Sequence, residues 1–382
     1  MKLRKIRYTV PLFLVTSIVL AGCSGSSGDS SGQGSDLSPQ AVTELQAKID
    51  MYKQPPPFKA PGPPIDASKL TGKQILTVPS SSAVPFCQKI DEGLATVAKE
   101  YGVTATSYQN QGQPSQWAAG VESAQNQHAA LLNVACGIDP AVLGPQIAAP
   151  NGKIPVVGAH NYDPSQKPAP GLSALVYAQF KLAGELEADW TILQTKGHAN
   201  VLVVDDVGSD VSTPPLIEGI KSQFAKYCPS CKVNYQSVAI PDWSTKIQPA
   251  VSAELVRNPN LNYIIPVYDG MVQFVLPAIT GAAAGDKVKI ASFNATPSVL
   301  STMKSNGIVQ FDVGEYFNWA VGATLDQDFR VLLGLPPSNN EFAALRIFDT
   351  SNVSEAGSPP QFENGYGNAA TTGFKKLWGN GS

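Results

Sequence analysis

The chain has 382 residues, of which 43% are hydrophobic and 15% charged, with 33 glycines, 31 prolines and three histidines. This length exceeds one ordinary domain and suits two, and the apolar fraction is high enough to exclude a wholly disordered chain. A formal net charge of −3 argues against a general nucleic-acid or anionic-membrane surface, and three histidines leave little room for a His-rich metal site.

The first 22 residues have the features of a secretory signal peptide. Four basic side chains within residues 2–7 precede an apolar run over residues 8–20, which is too short to span a bilayer of about 30 Å as a helix. The next four residues, Leu20-Ala21-Gly22-Cys23, are similar to the lipobox of bacterial lipoproteins. This resemblance implies cleavage before Cys23, a diacylglyceryl group on its thiol, and anchoring at the extracytoplasmic face of the cell membrane. An ordinary signal peptide with an incidental cysteine is the alternative.

Four cysteines remain once Cys23 is lipidated, and an even number in an exported chain favours disulfides. We expect the local pair Cys228–Cys231 and the longer pair Cys87–Cys136. A zinc site would need a second Cys-x-x-Cys or a nearby His pair, and the sequence has neither. A thioredoxin-like redox role is disfavoured because Cys228 is expected to end a helix rather than to begin one.

The segment before the globular body is rich in small residues and prolines. Residues 24–36 are a Gly/Ser tether, residues 39–52 have a helical pattern, and residues 54–64 are dominated by proline. A proline-rich segment is stiff and extended, so we expect it not to pack a core. On this interpretation the anchored tether comprises residues 23–69, and the globular body starts near Lys69.

Strand and helix patterns alternate from that point. The predicted strands are Lys73–Pro79, Val103–Tyr108, Ala129–Val134, Ile154–Gly158, Asn200–Asp205, Lys232–Val238, Tyr263–Val267 and Lys287–Phe293. The predicted helices are Phe86–Glu100, Gln116–Asn126, Asp139–Ala149, Leu175–Gln194, Pro215–Tyr227, Thr245–Asn258, Met271–Ala284 and Val299–Ser305. This alternation predicts an α/β fold with two doubly wound parallel-sheet lobes in series and a ligand cleft between them.

The sequence contains none of the common catalytic motifs. Phosphate-binding and dinucleotide-binding glycine loops, a His-Glu-x-x-His helix and a Gly-x-Ser-x-Gly turn are all missing. Asp205 and Asp206 end a strand, where they could ligate a cation but more often cap the following segment. His128 and His198 are expected at the surface. We therefore expect a binding protein with no catalysis, cofactor or metal, although an exported enzyme of another type is an alternative.

The lipobox, the tether and the two lobes together resemble the solute-binding lipoproteins of ABC importers, and within them the ribose-binding-like (sugar-binding, type I periplasmic) class. The resemblance covers about residues 70–348. Its best anchors are the segments Ser-Ser-Ser-Ala-Val-Pro-Phe at 80–86, Tyr-Asp-Gly-Met at 268–271, Ser-Phe-Asn at 292–294 and Val-Leu-Leu-Gly at 331–334. It implies a monomer whose partners are a small-molecule ligand, an ABC permease and its ATPase, without nucleic acid. A sensory binding protein that presents its ligand to a membrane receptor is an alternative.

The resemblance also implies three chain crossings between the lobes, near Ala178, Glu315 and Leu345. One lobe would then comprise residues 70–178 and 316–345, and the other residues 179–315 and 346–382. In open parallel sheets the ligand lies beyond the carboxyl ends of the strands. The residues expected there are Ser80, Ser81, Phe86, His160, Asn161, Trp243, Tyr268, Asp269, Asn294 and Glu315.

Each of these side chains also has a structural interpretation. Phe86 and Trp243 are suited to packing, Tyr268 and Asp269 to capping the next helix, and Asn294 to holding a turn. Glu315 is suited to an ion pair at the hinge, and His160 could be a loop residue that contacts no ligand.

The chain departs from the family pattern at several of these positions. Relatives that bind pentoses and hexoses typically have Asp-Arg where this chain has His160-Asn161, and an arginine near Leu216 where this chain has prolines. One arginine or carboxylate side chain can bind two sugar hydroxyls at once. Without those arginines, this cleft is expected to be more aromatic and less charged than the clefts of such relatives. The ligand is accordingly a sugar or sugar-like molecule, or a bulkier, substituted or less polar one.

Overall fold

Two separate β-sheets organise the chain in the computed structural model, which describes residues 37–148, 154–207, 211–338 and 341–379. The predicted signal peptide, Cys23 and the Gly/Ser tether lie outside the described residues. The first sheet has the order β2-β1-β3-β4-β5 and is entirely parallel. Its strands are β1 (Gln74–Pro79), β2 (Thr104–Ser107), β3 (Leu131–Ala135), β4 (Val156–Ala159) and β5 (Ala174–Val176).

The second sheet has the order β11-β10-β9-β8-β6-β7, and its strands are parallel except for the antiparallel β10–β11 pair. These strands are β6 (Asn200–Asp205), β7 (Lys232–Ser237), β8 (Tyr263–Pro266), β9 (Lys289–Phe293), β10 (Val309–Glu315) and β11 (Leu345–Asp349). The two-lobe α/β architecture predicted from the alternating pattern is therefore confirmed.

Helices cover the faces of both sheets. They are α1 (Pro39–Lys53), α2 (Pro85–Lys99), α3 (Pro114–Asn126), α4 (Gly144–Ile147), α5 (Phe180–Gln194), α6 (Thr213–Tyr227), α7 (Trp243–Arg257), α8 (Asp269–Gly281), α9 (Pro297–Asn306), α10 (Phe317–Leu332) and α11 (Ala369–Leu377). Several begin with proline in the first turn, where its missing N–H costs no hydrogen bond. The chain crosses between the lobes after β5, after β10 and before β11, because α10 packs on α2 and β5 of the first lobe.

Two predicted elements were wrong in type or extent. Leu175 and Val176, predicted as the start of a helix, belong to β5, which pairs in parallel with β4; a short apolar run does not by itself distinguish strand from helix. The helix predicted over residues 139–149 is instead a 3₁₀ turn, Pro140–Leu143, followed by the single turn α4. Gly144 and Pro145 interrupt it, since proline removes a helical hydrogen bond.

The expectation that the globular body starts near Lys69 is also wrong. The helix α1 was predicted, but it packs on α5 and β11 with Leu45 and Ile49 buried, and Ile65 in the following segment is buried too. Residues 37–66 therefore belong to the folded body. Their apolar residues are few, but three of them are buried against the rest of the folded body.

The final helix also lies elsewhere than the resemblance implied. Trp378, directly after α11, packs edge-on against Tyr101 at the end of α2 and Phe329 of α10, with ring centroids 5.3 and 5.2 Å apart. Its indole Nε1 donates to Asp326 Oδ1 at 2.9 Å. These partners belong to the first lobe, so α11 does not join the second lobe with the rest of residues 346–382.

The helix pair α5–α6 is held at its closest approach by two glycines. A Cβ built on Gly184 would overlap the carbonyl oxygen of Leu216, and a Cβ on Gly219 would overlap that of Lys181. We expect Gly219→Ala to lower the free energy of unfolding by about 2–3 kcal/mol, because backbone atoms must separate to admit the methyl group. Urea titration measures this change. Gly281→Ala is the matched control: no atom lies within 4 Å of its Cβ position, so equal effects of the two changes would contradict the prediction.

Candidate functional site

A small cavity of about 40 Å³ lies between the two lobes and is lined from both sides. The first lobe contributes Ser80, Val84, Phe86, Cys87, Cys136 and His160. The second lobe contributes Ser212, Ile240, Trp243, Tyr268 and Asn294.

Strand ends place these residues together. Ser80, Cys136 and His160 follow β1, β3 and β4, while Asn294 follows β9 and Tyr268 lies two residues beyond β8. The carboxyl ends of the parallel strands in both lobes therefore face one cleft, which is where ligands bind in open α/β sheets.

The lobes are in contact across this cleft. The backbone N–H of Val211, in the second lobe, donates to Gly137 O of the first lobe at 3.0 Å, and the Gln166 amide of the first lobe donates to Val211 O at 2.7 Å. His160 Nε2 is hydrogen-bonded to Glu315 Oε2, which joins the end of β4 to the end of β10. The structure is thus a closed form.

The cavity walls include non-glycine residues in the left-handed backbone region. Cys136, His160 and Asn294 have φ values of 60°, 59° and 122°, and Ala295, which follows the wall residue Asn294, has 49°. Such conformations cost energy and persist only where the surroundings fix them, commonly at binding sites. Backbone hydrogen bonds fix these residues: the amide of Cys136 donates to Ala159 O, and that of Asn294 to Val313 O, each at 3.0 Å.

Six of the ten predicted ligand-binding residues line the cavity, namely Ser80, Phe86, His160, Trp243, Tyr268 and Asn294. Contact with a ligand stays a prediction for each of them. The aromatic members have fixed positions. Trp243 Nε1 donates to Val238 O at 2.9 Å, and its ring packs over Gly270, whose Cβ would lie 3.1 Å from the indole. The ring of Phe86 packs 5.2 Å from that of His160.

The other four predicted residues support the walls instead of lining the cavity. Ser81 Oγ accepts from Ala83 N at 3.2 Å and so shapes the entrance to α2. Asn161 is fully buried, and its amide joins two strand-end loops: it accepts from Gly137 N at 3.0 Å and donates to Val134 O at 2.7 Å.

Asp269 and Glu315 likewise bond to protein groups. Asp269 does not cap α8; its Oδ2 accepts from the backbone N–H and the hydroxyl of Thr296 at 2.6 and 2.7 Å. It thereby holds the loop that carries Asn294. Glu315 bonds to His160 at a chain crossing, as the hinge-pair interpretation expected.

Sequence reasoning missed several wall residues, among them Val84, Ser212 and Ile240. Ser212 precedes α6 and has its Oγ 2.6 Å from the Tyr268 hydroxyl, which also lies 3.2 Å from Thr213 Oγ1. Its position before the first helix after β6 parallels that of Ser80 after β1, and this parallel was an available signal. Ile240 has no such signal, because an isoleucine in a loop is not distinctive.

Both predicted disulfides form. Cys87 is bonded to Cys136 and Cys228 to Cys231, with Cα atoms 6.1 and 5.3 Å apart, within the usual range. Only the first lies at the site, where it joins the start of α2 to the loop after β3 and forms part of the cavity wall. Cys228 ends α6 at the far end of that helix.

Buried carboxyl groups lie beneath the second-lobe wall. Asp312 Oδ1 accepts from Ala295 N at 2.9 Å, beside Asp269. Burial raises the pKa of Asp269 to about 6, while burial and the charge of Asp269 raise the pKa of Asp312 well above its usual range. Burial, with the charge of Asp269, also raises the pKa of Glu187 on α5. The folded protein therefore binds protons more tightly at these groups than the unfolded chain.

This difference predicts a pH dependence of stability. Because the pKa values are raised on folding, the contribution of these groups is most favourable below about pH 4 and declines as the pH rises towards and beyond 6. In Asp312→Asn we expect the melting temperature to fall less between pH 5 and pH 8 than in the native chain, as differential scanning calorimetry measures. Glu187 and Asp269, whose pKa values are also raised, remain in this variant, so part of the decline in stability persists. An unchanged pH profile would contradict the assignment.

The described residues were also compared with the requirements of a metal site and of a membrane-spanning helix. In the described ranges, no group of three or more His, Cys, Asp or Glu side chains is arranged to hold a metal ion. Within the same ranges, no helix combines the length and apolarity that crossing a membrane requires.

Two α/β lobes meet over a small cavity at the carboxyl ends of their parallel strands. The family model described as the periplasmic binding protein domain matches residues 75–323. The chain therefore belongs to the periplasmic binding protein domain family, a family of solute-binding proteins.

Solved structures show the same fold at low sequence identity. A galactofuranose binding protein is 18% identical with a TM-score of 0.63, covering 74% of this chain and 96% of its own. The Caulobacter myo-inositol binding protein, bound to myo-inositol, is 19% identical with a TM-score of 0.64, covering 75% and 96%. A 5-methylthioribose transporter solute binding protein from Thermotoga lettingae is 18% identical with a TM-score of 0.63, covering 73% and 87%. No curated protein sequence matches this chain significantly.

Proposed function

We propose that this protein is the lipid-anchored, extracytoplasmic solute-binding component of an ABC importer, which takes up a sugar or sugar-like small molecule and delivers it to a permease. The observation that carries the proposal is the cavity lined from both lobes at the carboxyl ends of their strands. A ligand there contacts both lobes only when they are closed. It therefore stabilises the closed form through its greater affinity for that form.

Lobe composition and anchoring are part of the same proposal. The first lobe comprises residues 70–178 and 316–345 together with α11, and the second comprises residues 179–315 and most of residues 346–368. The signal peptide 1–22 is removed, and a lipid on Cys23 holds the monomeric protein at the membrane. The neighbours named for galactofuranose, myo-inositol and 5-methylthioribose support a sugar-like ligand through their common fold.

A thermal-shift screen tests the binding function. The full chain with Cys23→Ser is screened against sugars, polyols, nucleosides and aromatic metabolites, since a ligand that binds only the folded state raises the melting temperature. We expect a hit whose binding by calorimetry is stoichiometric and whose mass is unchanged after incubation. Conversion of the ligand would favour an exported enzyme instead, and a complete lack of hits would contradict the proposal.

Fractionation and reconstitution test the anchor and the delivery step. The native chain should sediment with membranes and carry an acylated amino-terminal cysteine by mass spectrometry, whereas Cys23→Ser should be released. The ligand-loaded chain should stimulate ATP hydrolysis by the ATPase of its ABC permease when the two are reconstituted in vesicles. If the chain is acylated and sediments with membranes but does not stimulate ATP hydrolysis, a sensory role is favoured instead.

A further inference from the structure

The hydrogen-bonding groups available to a ligand in the cavity are few and uncharged. None of the described residues that line it is a lysine, arginine, aspartate or glutamate. Asp269 and Glu315 are not among these lining residues, and each has one carboxylate oxygen bonded to the protein, Asp269 to Thr296 and Glu315 to His160. The site therefore lacks the charged groups that bind vicinal hydroxyls in pairs.

Most of the polar atoms in the wall already have protein partners. The Tyr268 hydroxyl is bonded to Ser212, the Trp243 indole to Val238 O, and His160 Nε2 to Glu315. Among the described side chains that line this cavity, three groups remain for a ligand. They are the Ser80 hydroxyl, which lies 4.0 Å from Cys87 Sγ, His160 Nδ1, which is buried with no partner among the described residues, and the Asn294 amide.

A ligand with many hydroxyl groups does not suit this inventory. Each buried hydroxyl that loses water without gaining a partner costs about 1–3 kcal/mol. A hexose or an inositol brings five or six hydroxyls, which is more than three neutral groups satisfy. Apart from the Ser212 and Tyr268 hydroxyls, which bond to each other, the rest of the wall is apolar: Val84, Phe86, Ile240, the Trp243 ring and the disulfide.

Two larger cavities adjoin the central one; one has a largely apolar lining, and the other is also lined by polar side chains, among them Gln111, Ser244 and Gln273. One of about 160 Å³ shares Ser80 and Ile240 with it and is lined further by Pro114, Trp117 and Ile138, with Asp206 as its one charged residue among those described. The other, of about 280 Å³, shares Val84, Ile240 and Trp243 with it. Ile240 borders all three cavities and so separates them.

We propose that the ligand is a neutral molecule with about three or fewer hydrogen-bonding groups and an apolar arm, and that Ile240 determines its specificity. The polar end contacts Ser80, His160 and Asn294 in the central cavity. The apolar arm passes Ile240 into an adjoining cavity. This inference rests on the proposed function and narrows its sugar-like solute to one with few hydroxyl groups.

Calorimetry with matched probes tests the inference on the full chain carrying Cys23→Ser. The hydroxyl-poor probe is 1-phenylethane-1,2-diol, and the hydroxyl-rich probes are D-glucose and myo-inositol. We expect the phenyl diol to bind at least tenfold more tightly. Ile240→Asn should weaken it by about tenfold, because the amide places an unpaired polar group against the apolar arm. Val256→Asn is the control, since Val256 is 84% exposed and borders none of these cavities.

The outcomes separate this inference from the function on which it rests. Tighter binding of glucose or myo-inositol, or a best ligand in the broader screen with about four or more hydroxyls, would overturn the inference and leave the binding function standing. A phenyl diol that binds equally to Ile240→Asn and to the native chain would overturn the role of Ile240. The absence of any ligand in both experiments would contradict the binding function itself.

A second, independent feature joins the two lobes on the side of the chain crossings. Residues 39–66, here called the strap, begin with α1, which lies on the second lobe. Lys48 Nζ is 2.8 Å from Glu185 Oε2 and 3.0 Å from Asp189 Oδ2, both on α5. Lys53 Nζ is 2.6 Å from Asp349 Oδ2 at the end of β11.

The other end of the strap lies on the first lobe. The Phe58 ring packs 5.2 Å from Trp319 of α10 and 5.0 Å from Phe374 of α11. Arg330 Nη2, also on α10, donates to Pro63 O at 2.8 Å. Residues 54–57, Gln-Pro-Pro-Pro, connect the two ends, and consecutive prolines favour a stiff, extended backbone. The strap lies outside the residues that the family model matches.

We propose that the strap limits how far the lobes separate, because its two ends are attached to different lobes by a stiff connection of fixed length. This proposal concerns the opening and closing that the proposed function requires. Inserting four glycines between Pro56 and Pro57 adds about 13 Å of reach and leaves both ends attached. Phe58→Ala, which detaches the first-lobe end, is the second variant.

Small-angle X-ray scattering of the ligand-free protein measures the effect. We expect both strap variants to have a larger radius of gyration than the native chain and a weaker apparent ligand affinity, since a smaller fraction is closed. Four glycines inserted between Asp286 and Lys287, both exposed in the loop between α8 and β9 of the second lobe, are the matched control. An unchanged radius in the glycine-inserted strap, with the melting temperature preserved, would overturn the proposal.

Discussion

Replacing Trp243 with alanine should weaken ligand binding at least tenfold. The indole lines the central cavity from the second lobe, and the Val238 carbonyl and Gly270 hold it in place. Losing an aromatic face from a ligand contact costs about 1.5–3 kcal/mol, which corresponds to a factor of about 10–150 in affinity. Calorimetry with the ligand found by screening measures this loss.

The same substitution also lowers stability, and the control must separate the two effects. Trp243 is 6% exposed, so its removal costs about 3 kcal/mol or more, and circular dichroism must show a folded variant at the binding temperature. Trp190→Ala is the matched control. Its indole stacks on Phe311 with centroids 4.9 Å apart and does not line the cavity, so it should lower stability with unchanged affinity. Equal affinities of the two variants would remove Trp243 from the site.

Breaking the Cys87–Cys136 disulfide should cost both stability and affinity. The bond closes a loop with a sequence separation of 49, which corresponds to about 4 kcal/mol by loop-closure entropy. It also forms part of the cavity wall and helps to fix Cys136 at a φ of 60°. In Cys87→Ala/Cys136→Ala we therefore expect a lower melting temperature and at least tenfold weaker ligand binding.

The second disulfide is the natural comparison for this experiment. Cys228 and Cys231 are separated by three positions, so their loop contributes only about 2 kcal/mol. They lie away from the cavity, and Cys228→Ala/Cys231→Ala should leave ligand affinity unchanged. A loss of affinity in this variant as large as in the first would show that the effect comes from general destabilisation rather than from the cavity wall.

The positions of site residues were predictable where a residue directly follows a strand. Ser80, His160 and Asn294 each follow a strand directly, and parallel strands direct their carboxyl ends to the same edge. Their approximate positions therefore followed from the alternating pattern, with the family resemblance selecting among the loops. The roles of Asn161, Asp269 and Glu315 did not follow, because a polar residue after a strand can contact a ligand or a neighbouring loop equally well.

The ends of the chain were the least predictable part. Residues 39–66 have low apolar content, and the local pattern gives no sign of Phe58 packing between Trp319 and Phe374 or of Pro63 accepting from Arg330. These partners are more than 250 positions away in sequence, so no short-range periodicity contains the information. The same reason explains why α11 was assigned to the second lobe.

By itself, the sequence determined the export signal pattern, the four cysteines that remain beside Cys23 and the two α/β lobes. These properties follow from composition and from periodicities of a few residues. Only the tertiary structure decided which polar groups remain free for a ligand, where the disulfide stands relative to the cavity, and how the strap joins the lobes. Hydrogen bonds and packing between distant segments decide these features, since a side chain's availability depends on every group that the fold brings within its reach.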